Sequence, residues 1–234
     1  MDVSASINFQ NLFYECISLK NIEYIRNWNV ANCVNFKYMF CNCTSLVDIK
    51  PLENWNVSNG KDIEGIFSRC TELSDITPLA NWKVSKCVNF SFIFNMCISL
   101  ANIEPLKNWD VSNGTDFQSS FSECPSLSNI TPLKDWNVSN GNNFRRMFYD
   151  CSILSDISPL QNWNLSKGIN FESMFSECTS LKDLKPIENW DLSNGKNFYK
   201  MFWIKSTIKI DKNLLKKWNI SDDKLETMFY NEIN

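Results

Sequence analysis

Histidine is absent from the 234 residues. Without an imidazole there is no Ser–His pair for nucleophilic catalysis, and the commonest nitrogen ligand for a transition metal is missing. No C-x-x-C pair occurs either, so zinc-ribbon and thioredoxin-like readings fail. A glycine-rich phosphate loop is lacking. Lysine and arginine never form a block, and the net charge is -3, which gives no surface for a nucleic-acid backbone. No apolar run approaches the roughly 20 residues of a membrane span. The opening MDVSASINFQ has neither a basic nor an apolar secretory region, and Met1 is not followed by the glycine that myristoylation requires. These absences point away from an enzyme, a cofactor protein, a nucleic-acid binder or a membrane-inserted chain.

What is present is a repeat. Tryptophan stands at 28, 55, 82, 109, 136, 163, 190 and 218, with spacings of 27 and a final 28. Phenylalanine follows twelve residues later at 40, 67, 94, 121, 148, 175 and 202, and Phe13 belongs to the same row. Cysteine follows three residues on, at Cys16, Cys43, Cys70, Cys97, Cys124, Cys151 and Cys178; leucine and then isoleucine come at further steps of three. Proline precedes tryptophan by four in six units, from Pro51 to Pro186. The unit reads W-x-V-S-x-G-x-x-F-x-x-M-F-x-x-C-x-x-L-x-x-I-x-P-L-x-N. A unit this short cannot bury its own apolar face, so it stacks on its neighbours as one solenoid. At 44% hydrophobic residues the chain has ample material for that core.

Within a unit, Ile63, Phe67 and Cys70 are spaced i, i+4, i+7, which predicts a short helix entered through Ser58 as N-cap. TELSDITPL then reads as a short strand ended by Pro78. Equivalent strands must lie parallel, about 4.8 Å apart, and the wider helices should form the outside of the curve. The expected architecture is an α/β solenoid, a right-handed β-α superhelix with a parallel sheet on the concave face and short helices on the convex face.

The run F-x-x-C-x-x-L-x-x-I, as in FSRCTELSDI and FSECTSLKDL, resembles the BspA-like leucine-rich repeats. W-N-V-S-N-G-x-x-F-x-x-M-F is similar to their surface-protein subgroup. The resemblance spans essentially the whole chain. It implies a protein of bacteria, parasitic protists or large DNA viruses of amoebae, many bacterial members being adhesins, and it carries no catalytic residues. The wealth of Asn, Ile, Lys and Phe fits an AT-rich viral or protist genome.

Three rows are candidate sites. The cysteine row is read as structural, each thiol a small buried hydrophobe, with bridges between turns as the alternative; Cys33, Cys41 and Cys87, off the row, are expected to be more exposed. Asn27, Asn54, Asn81, Asn108, Asn162 and Asn189 before tryptophan are read as an asparagine ladder satisfying backbone groups between turns. Asp48, Asp75, Asp156 and Asp183, with Asn102 and Asn129, suit turn-stabilising contacts better than a calcium site. Slots free of structural duty should drift, and Lys50, Thr77, Glu104, Thr131, Ser158 and Lys185 do. They form the expected partner-binding row on the concave face, and Arg145, Arg146 and Tyr149 mark a second surface.

The chain is expected to be a single domain, 1–234, of about eight repeats, with residues 1–27 as a partial N-terminal unit and 203–234 as an irregular C-terminal cap in which Lys205 takes the cysteine slot. Its N-terminal end is expected either to self-associate end to end or to follow further chain. Function is expected to be a non-catalytic protein-interaction scaffold, without cofactor or metal, in the cytoplasm (that of the host if viral). The alternatives are an adhesion protein of a cell or virion surface and a self-assembling structural array.

Overall fold

A computed structural model of the chain describes residues 2–203, 216–218 and 220–229. Each 27-residue unit makes one coil of a solenoid, and successive coils are parallel: isolated bridges join Asn8 to Asn35, Asn35 to Asp62, Asp62 to Asn89, and so on to Asn197. One apolar core runs from Val3 to Phe229.

The coil beginning at Trp55 shows how sequence becomes shape. Asn56 accepts the N–H of Ser58, and Gly60 closes a tight turn on Val57. Asp62 makes the parallel bridge and accepts the N–H of Glu64. Residues 63–70 then form a run of turns in which amides alternate in direction. Ile66, Ser68 and Cys70 donate within the coil, to Ile63, Gly65 and Phe67. Ile63, Gly65, Phe67 and Arg69 donate to the next coil, to Asn89, Ser91, Ile93 and Asn95. Asp75 next accepts the N–H of Thr77, and the 3-10 turn Thr77–Leu79 returns the chain to Trp82.

The expected helix over 63–70 is therefore not formed. Consecutive three-residue turns bury Ile63, Ile66, Phe67 and Cys70 at the spacing a helix would give. An α-helix, however, spends every amide on its own i−4 carbonyl. Here every second amide must reach the neighbouring coil, and that requires left-handed backbone twice per coil. The first set is Asn11, Tyr38, Gly65, Phe92, Ser119, Arg146, Ser173 and Lys200; the second is Glu15, Asn42, Arg69, Met96, Glu123, Asp150 and Glu177, all with φ of 53–62°. No β-branched residue occupies either set, as sterics demand.

The expected strand is missing too. No strand longer than an isolated bridge forms among the described residues. The segment after leucine holds an Asx turn and a 3-10 turn instead: Lys50–Asn54, Thr77–Leu79, Glu104–Leu106, Thr131–Leu133, Ser158–Leu160 and Lys185–Ile187, each with proline at its second residue. Proline's fixed φ suits the start of such a turn, and its missing N–H costs nothing there. Glu23–Ile25 is the proline-free first member.

The core is built in columns. Phe13, Phe40, Phe67, Phe94, Phe121, Phe148, Phe175, Phe202 and Phe229 stack in one continuous row with ring centroids 5.4–5.9 Å apart. A second column joins Phe90, Phe117, Phe144, Phe171 and Phe198 at 5.4–5.6 Å. Each buried indole donates to the 3-10 turn of the preceding coil, as from Trp109 to the Leu79 carbonyl at 3.0 Å and from Trp136 to Leu106 at 3.0 Å.

The repeated glycine serves this second column. A Cβ at Gly168 would stand 2.2 Å from Phe171 Cζ and 2.9 Å from the Leu165 carbonyl oxygen. Gly168→Ala is therefore expected to lower unfolding stability by about 1–3 kcal/mol, the usual cost of overpacking, as urea titration of the two proteins would measure. In the coils where cysteine replaces this glycine, Phe36 and Phe90 lean instead on Gly60 and Gly114 of the next coil, at 3.3 and 3.1 Å from an added Cβ.

Of the C-terminal unit, 204–215, 219 and 230–234, including Lys205, lie outside the described residues. Helix α1, Asp222–Phe229, takes the place of a further coil: Lys200 and Phe202 donate to the Thr227 and Met228 carbonyls, and Phe229 stacks on Phe202 at 5.6 Å.

Candidate partner-binding surfaces

Most side chains in repeated slots are already engaged by the backbone. Three Asx turns recur in nearly every coil, and the aspartates flagged as carboxylate candidates are among them. Asp48, Asp75, Asn102, Asn129, Asp156 and Asp183 accept the N–H two residues on at 2.7–2.9 Å. Among the described residues no group of three or more acidic or cysteine side chains is placed to hold a metal.

The cysteine row is buried from Cys43 to Cys178, and each thiol donates to the phenylalanine carbonyl of the coil before it, at 3.0–3.1 Å. All ten thiols are free. Cys16, in the first coil, is exposed. Burial pushes the Cys43, Cys124 and Cys178 thiols up to about 12. Cys33, Cys41 and Cys87 do not follow the expectation of greater exposure; all three are buried, Cys33 and Cys87 because the slot that glycine fills elsewhere faces the aromatic column.

The asparagine row also differs from expectation. Asn27, Asn54, Asn81, Asn108, Asn162 and Asn189 are exposed, and among the described residues none makes a side-chain hydrogen bond. The cross-coil amides lie five residues further on. Asn32, Asn59, Asn113, Asn140 and Asn194 donate to the carbonyls of Ser4, Ala31, Ser85, Ser112 and Ser166 at 2.7–2.8 Å. Both slots lie in the same N-W-x-x-S-N run, and periodicity gives no way to tell which one faces the neighbour.

Two surfaces carry the side chains the fold leaves free. Lys50, Thr77, Glu104, Thr131, Ser158 and Lys185 each open a 3-10 turn, one per coil, on backbone fixed by the Asx contact. All are exposed except Ser158, which is half-buried and bonds Asp156. A shallow cleft of about 280 Å³ lies at one end of this row, between Lys50, Glu53, Asp75 and Thr77.

The run of left-handed turns forms the second surface. Glu64 is its most heavily contacted carboxylate: Lys37 lies at 2.6 Å, Asn89 at 2.9 Å, and the Tyr38 hydroxyl donates to it. Burial alone would raise its pKa, but the Lys37 and Tyr38 contacts bring it below the usual glutamate value. Further along, Arg145 pairs with Glu172 at 3.0 Å, and the Arg146 guanidinium lies 5.1 Å over the Tyr149 ring. At the N-terminal end this surface opens into a cleft of about 610 Å³ lined by Tyr14, Tyr38, Cys41, Ser68, Arg69 and Phe92, among others. The sequence reading passed over this cleft. The signal for it was a slot as variable as the partner row, running Asn11, Tyr38, Gly65, Phe92, Ser119, Arg146.

No curated protein matches the sequence. Among solved structures, a leucine-rich repeat protein from Bacteroides ovatus ATCC 8483 is similar at 16% identity and a TM-score of 0.37, over 74% of this chain and 57% of that one. A leucine rich cell surface protein from Faecalibacterium prausnitzii A2-165 is similar at 16% identity and a TM-score of 0.32, over 89% and 78%. The chain thus spans little more than half the length of the first. Overlapping matches over 1–101, 75–183 and 156–234 take in every repeat, and the chain belongs to the family described as "Mycoplasma protein of unknown function, DUF285".

Proposed function

We propose that this chain is a non-catalytic scaffold that presents a rigid row of side chains to a protein partner. The observation that carries the reading is the division of labour within the coil. Repeated polar side chains hold backbone: the Asx residues their own turns, the indoles and thiols the preceding coil. Lys50, Thr77, Glu104, Thr131, Ser158 and Lys185, in contrast, vary from coil to coil on backbone that does not. Such a row offers one independently chosen contact about every 5 Å, which is how repeat proteins build extended recognition surfaces. The middle of the row is Thr77, Glu104, Thr131 and Ser158, small and polar apart from the glutamate, with lysine at each end.

The test is capture from the native source with the whole chain as bait, beside a variant carrying Thr77→Arg, Glu104→Arg and Thr131→Arg. These side chains are exposed, and only the surface pair Glu104–Lys107 is lost, which leaves stability nearly unchanged. A polypeptide retained by the wild type and lost by the variant is the expected result. Recovery of copies of the chain itself would favour the self-assembling array instead. Recovery only of surface glycoconjugate or envelope material would favour adhesion.

A further inference from the structure

We infer that Asn59–Gly60, Asn113–Gly114, Asn140–Gly141 and Asn194–Gly195 are latent modification sites. Water deamidates the asparagine once its coil opens, and contact with the preceding coil keeps the site inert until then. The inference is independent of the scaffold reading, since it concerns slots that hold the fold.

Two structural demands meet in neighbouring slots. The asparagines must donate backwards: Asn59, Asn113, Asn140 and Asn194 bond the carbonyls of Ala31, Ser85, Ser112 and Ser166 at 2.7–2.8 Å. The next residue must be small, because the aromatic column fills the space beside it. An added Cβ would stand 2.5 Å from Phe117 Cζ at Gly114, 2.4 Å from Phe144 Cζ at Gly141 and 2.0 Å from Phe198 Cζ at Gly195. Asparagine followed by glycine is the result, and that pair is reactive. With no Cβ beside it, the glycine nitrogen has open access to the asparagine Cγ. It loses its proton to solvent and bonds Cγ, the Cγ–Nδ2 bond breaks, and ammonia leaves. Water then opens the five-membered imide at either carbonyl, giving aspartate or its isomer with one more methylene in the main chain.

The fold blocks the first step twice. The amides of Gly60, Gly114, Gly141 and Gly195 donate to the carbonyls of Val57, Val111, Val138 and Leu192 at 2.8–2.9 Å, so the proton is not free to leave. The bond from Nδ2 holds the side chain toward the preceding coil. Both restraints fall only on local opening, so the reaction follows the open population. Two sites are held at a second atom: Lys86 donates to Asn59 Oδ1 at 2.6 Å and Lys167 to Asn140 Oδ1 at 2.7 Å. Asn113 has no such contact among the described residues, the same slot of the next coil being Asn140. It should therefore react ahead of those two. A carboxylate only accepts, so a deamidated residue 113 would face the Ser85 carbonyl as acceptor against acceptor. At 59 and 140 the new carboxylate would gain the lysine as an ion pair.

The whole chain is incubated in near-neutral buffer, folded in one arm and unfolded in guanidinium chloride in the other. Peptide mass spectrometry follows conversion of amide to acid at each site. Unfolded, the four pairs should convert at similar rates. Folded, each should convert at least about tenfold more slowly, with Asn113 severalfold faster than Asn59 and Asn140. Asn32 makes the same contact, to Ser4, but precedes Cys33, and should stay intact in both arms. The consequence is read from urea midpoints: Asn113→Asp should lower the midpoint, and Asn140→Asp should lower it less. The inference is overturned by folded rates equal to the unfolded ones, by Asn113 reacting no faster than Asn59 and Asn140, or by an Asn113→Asp midpoint equal to that of the wild type. None of these readings depends on partner capture, so the two proposals fail independently.

Discussion

Between pH 8 and about pH 10.5 the protein is expected to lose most of its stability. The cause is the set of buried thiols. Cys43, Cys87, Cys124 and Cys178 have folded pKa values of about 12, against 9.0 for an unperturbed thiol, and in each case burial is the largest contributor. A group whose pKa is raised by folding lends stability that is complete below the unfolded pKa and is lost as pH rises toward the folded one. The window is therefore pH 9 to 12. Within it each thiol loses about 1.4 kcal/mol per pH unit. Four together would remove roughly 5 kcal/mol by pH 10, which rivals the whole stability of an ordinary domain. Urea titration at half-unit steps of pH would show the slope, and Cys124→Ala with Cys178→Ala should reduce it only in part, because burial raises the Cys70, Cys97 and Cys151 thiols as well. A stability that stayed flat to pH 10.5 would refute the account. Iodoacetamide at pH 8 gives an independent reading: Cys16 should label in the folded protein and the other nine only on unfolding.

Phe121→Ala is the second large effect. Phe121 is fully buried and stacks on Phe94 at 5.9 Å and Phe148 at 5.8 Å, with Trp136 at 6.2 Å. Truncating a phenyl in such a site costs about 3–5 kcal/mol, because the coils on either side are held apart by their own backbone ladders and cannot close the cavity. Phe13→Ala removes the ring at the end of the same column, where Phe13 is only half-buried and has Phe40 as its single column neighbour. Its cost should be under half as great. Urea unfolding of the two variants would test the contrast. Equal losses would mean that stability in this solenoid does not depend on position in the stack.

The remaining effects are local by comparison, since a repeat protein couples each coil mainly to its neighbours. Gly168→Ala strains one ring contact, and the row variants touch exposed side chains.

The sequence by itself determined the coil, its length, the parallel stacking and the identity of the core columns. A 27-residue period admits no other arrangement of Trp, Phe, Cys, Leu and Ile, because each apolar slot must meet its own copy in the next unit. Burial of the cysteines from Cys43 to Cys178 and the turn role of Asp75 and its equivalents were legible for the same reason: a residue type repeated in every unit answers to a contact repeated in every unit. What only the tertiary structure decided is where the backbone amides go. Ile63, Phe67 and Cys70 carry a helical spacing, yet the amides of Ile63, Gly65, Phe67 and Arg69 bond the next coil and hold Gly65 and Arg69 left-handed. Side-chain periodicity reports which face is buried, and a chain of three-residue turns buries the same face as a helix. The choice between them belongs to hydrogen bonds with a coil 27 residues away, which no local pattern contains. That choice also laid the Tyr38 ring over Gly65, in the space a Cβ would take.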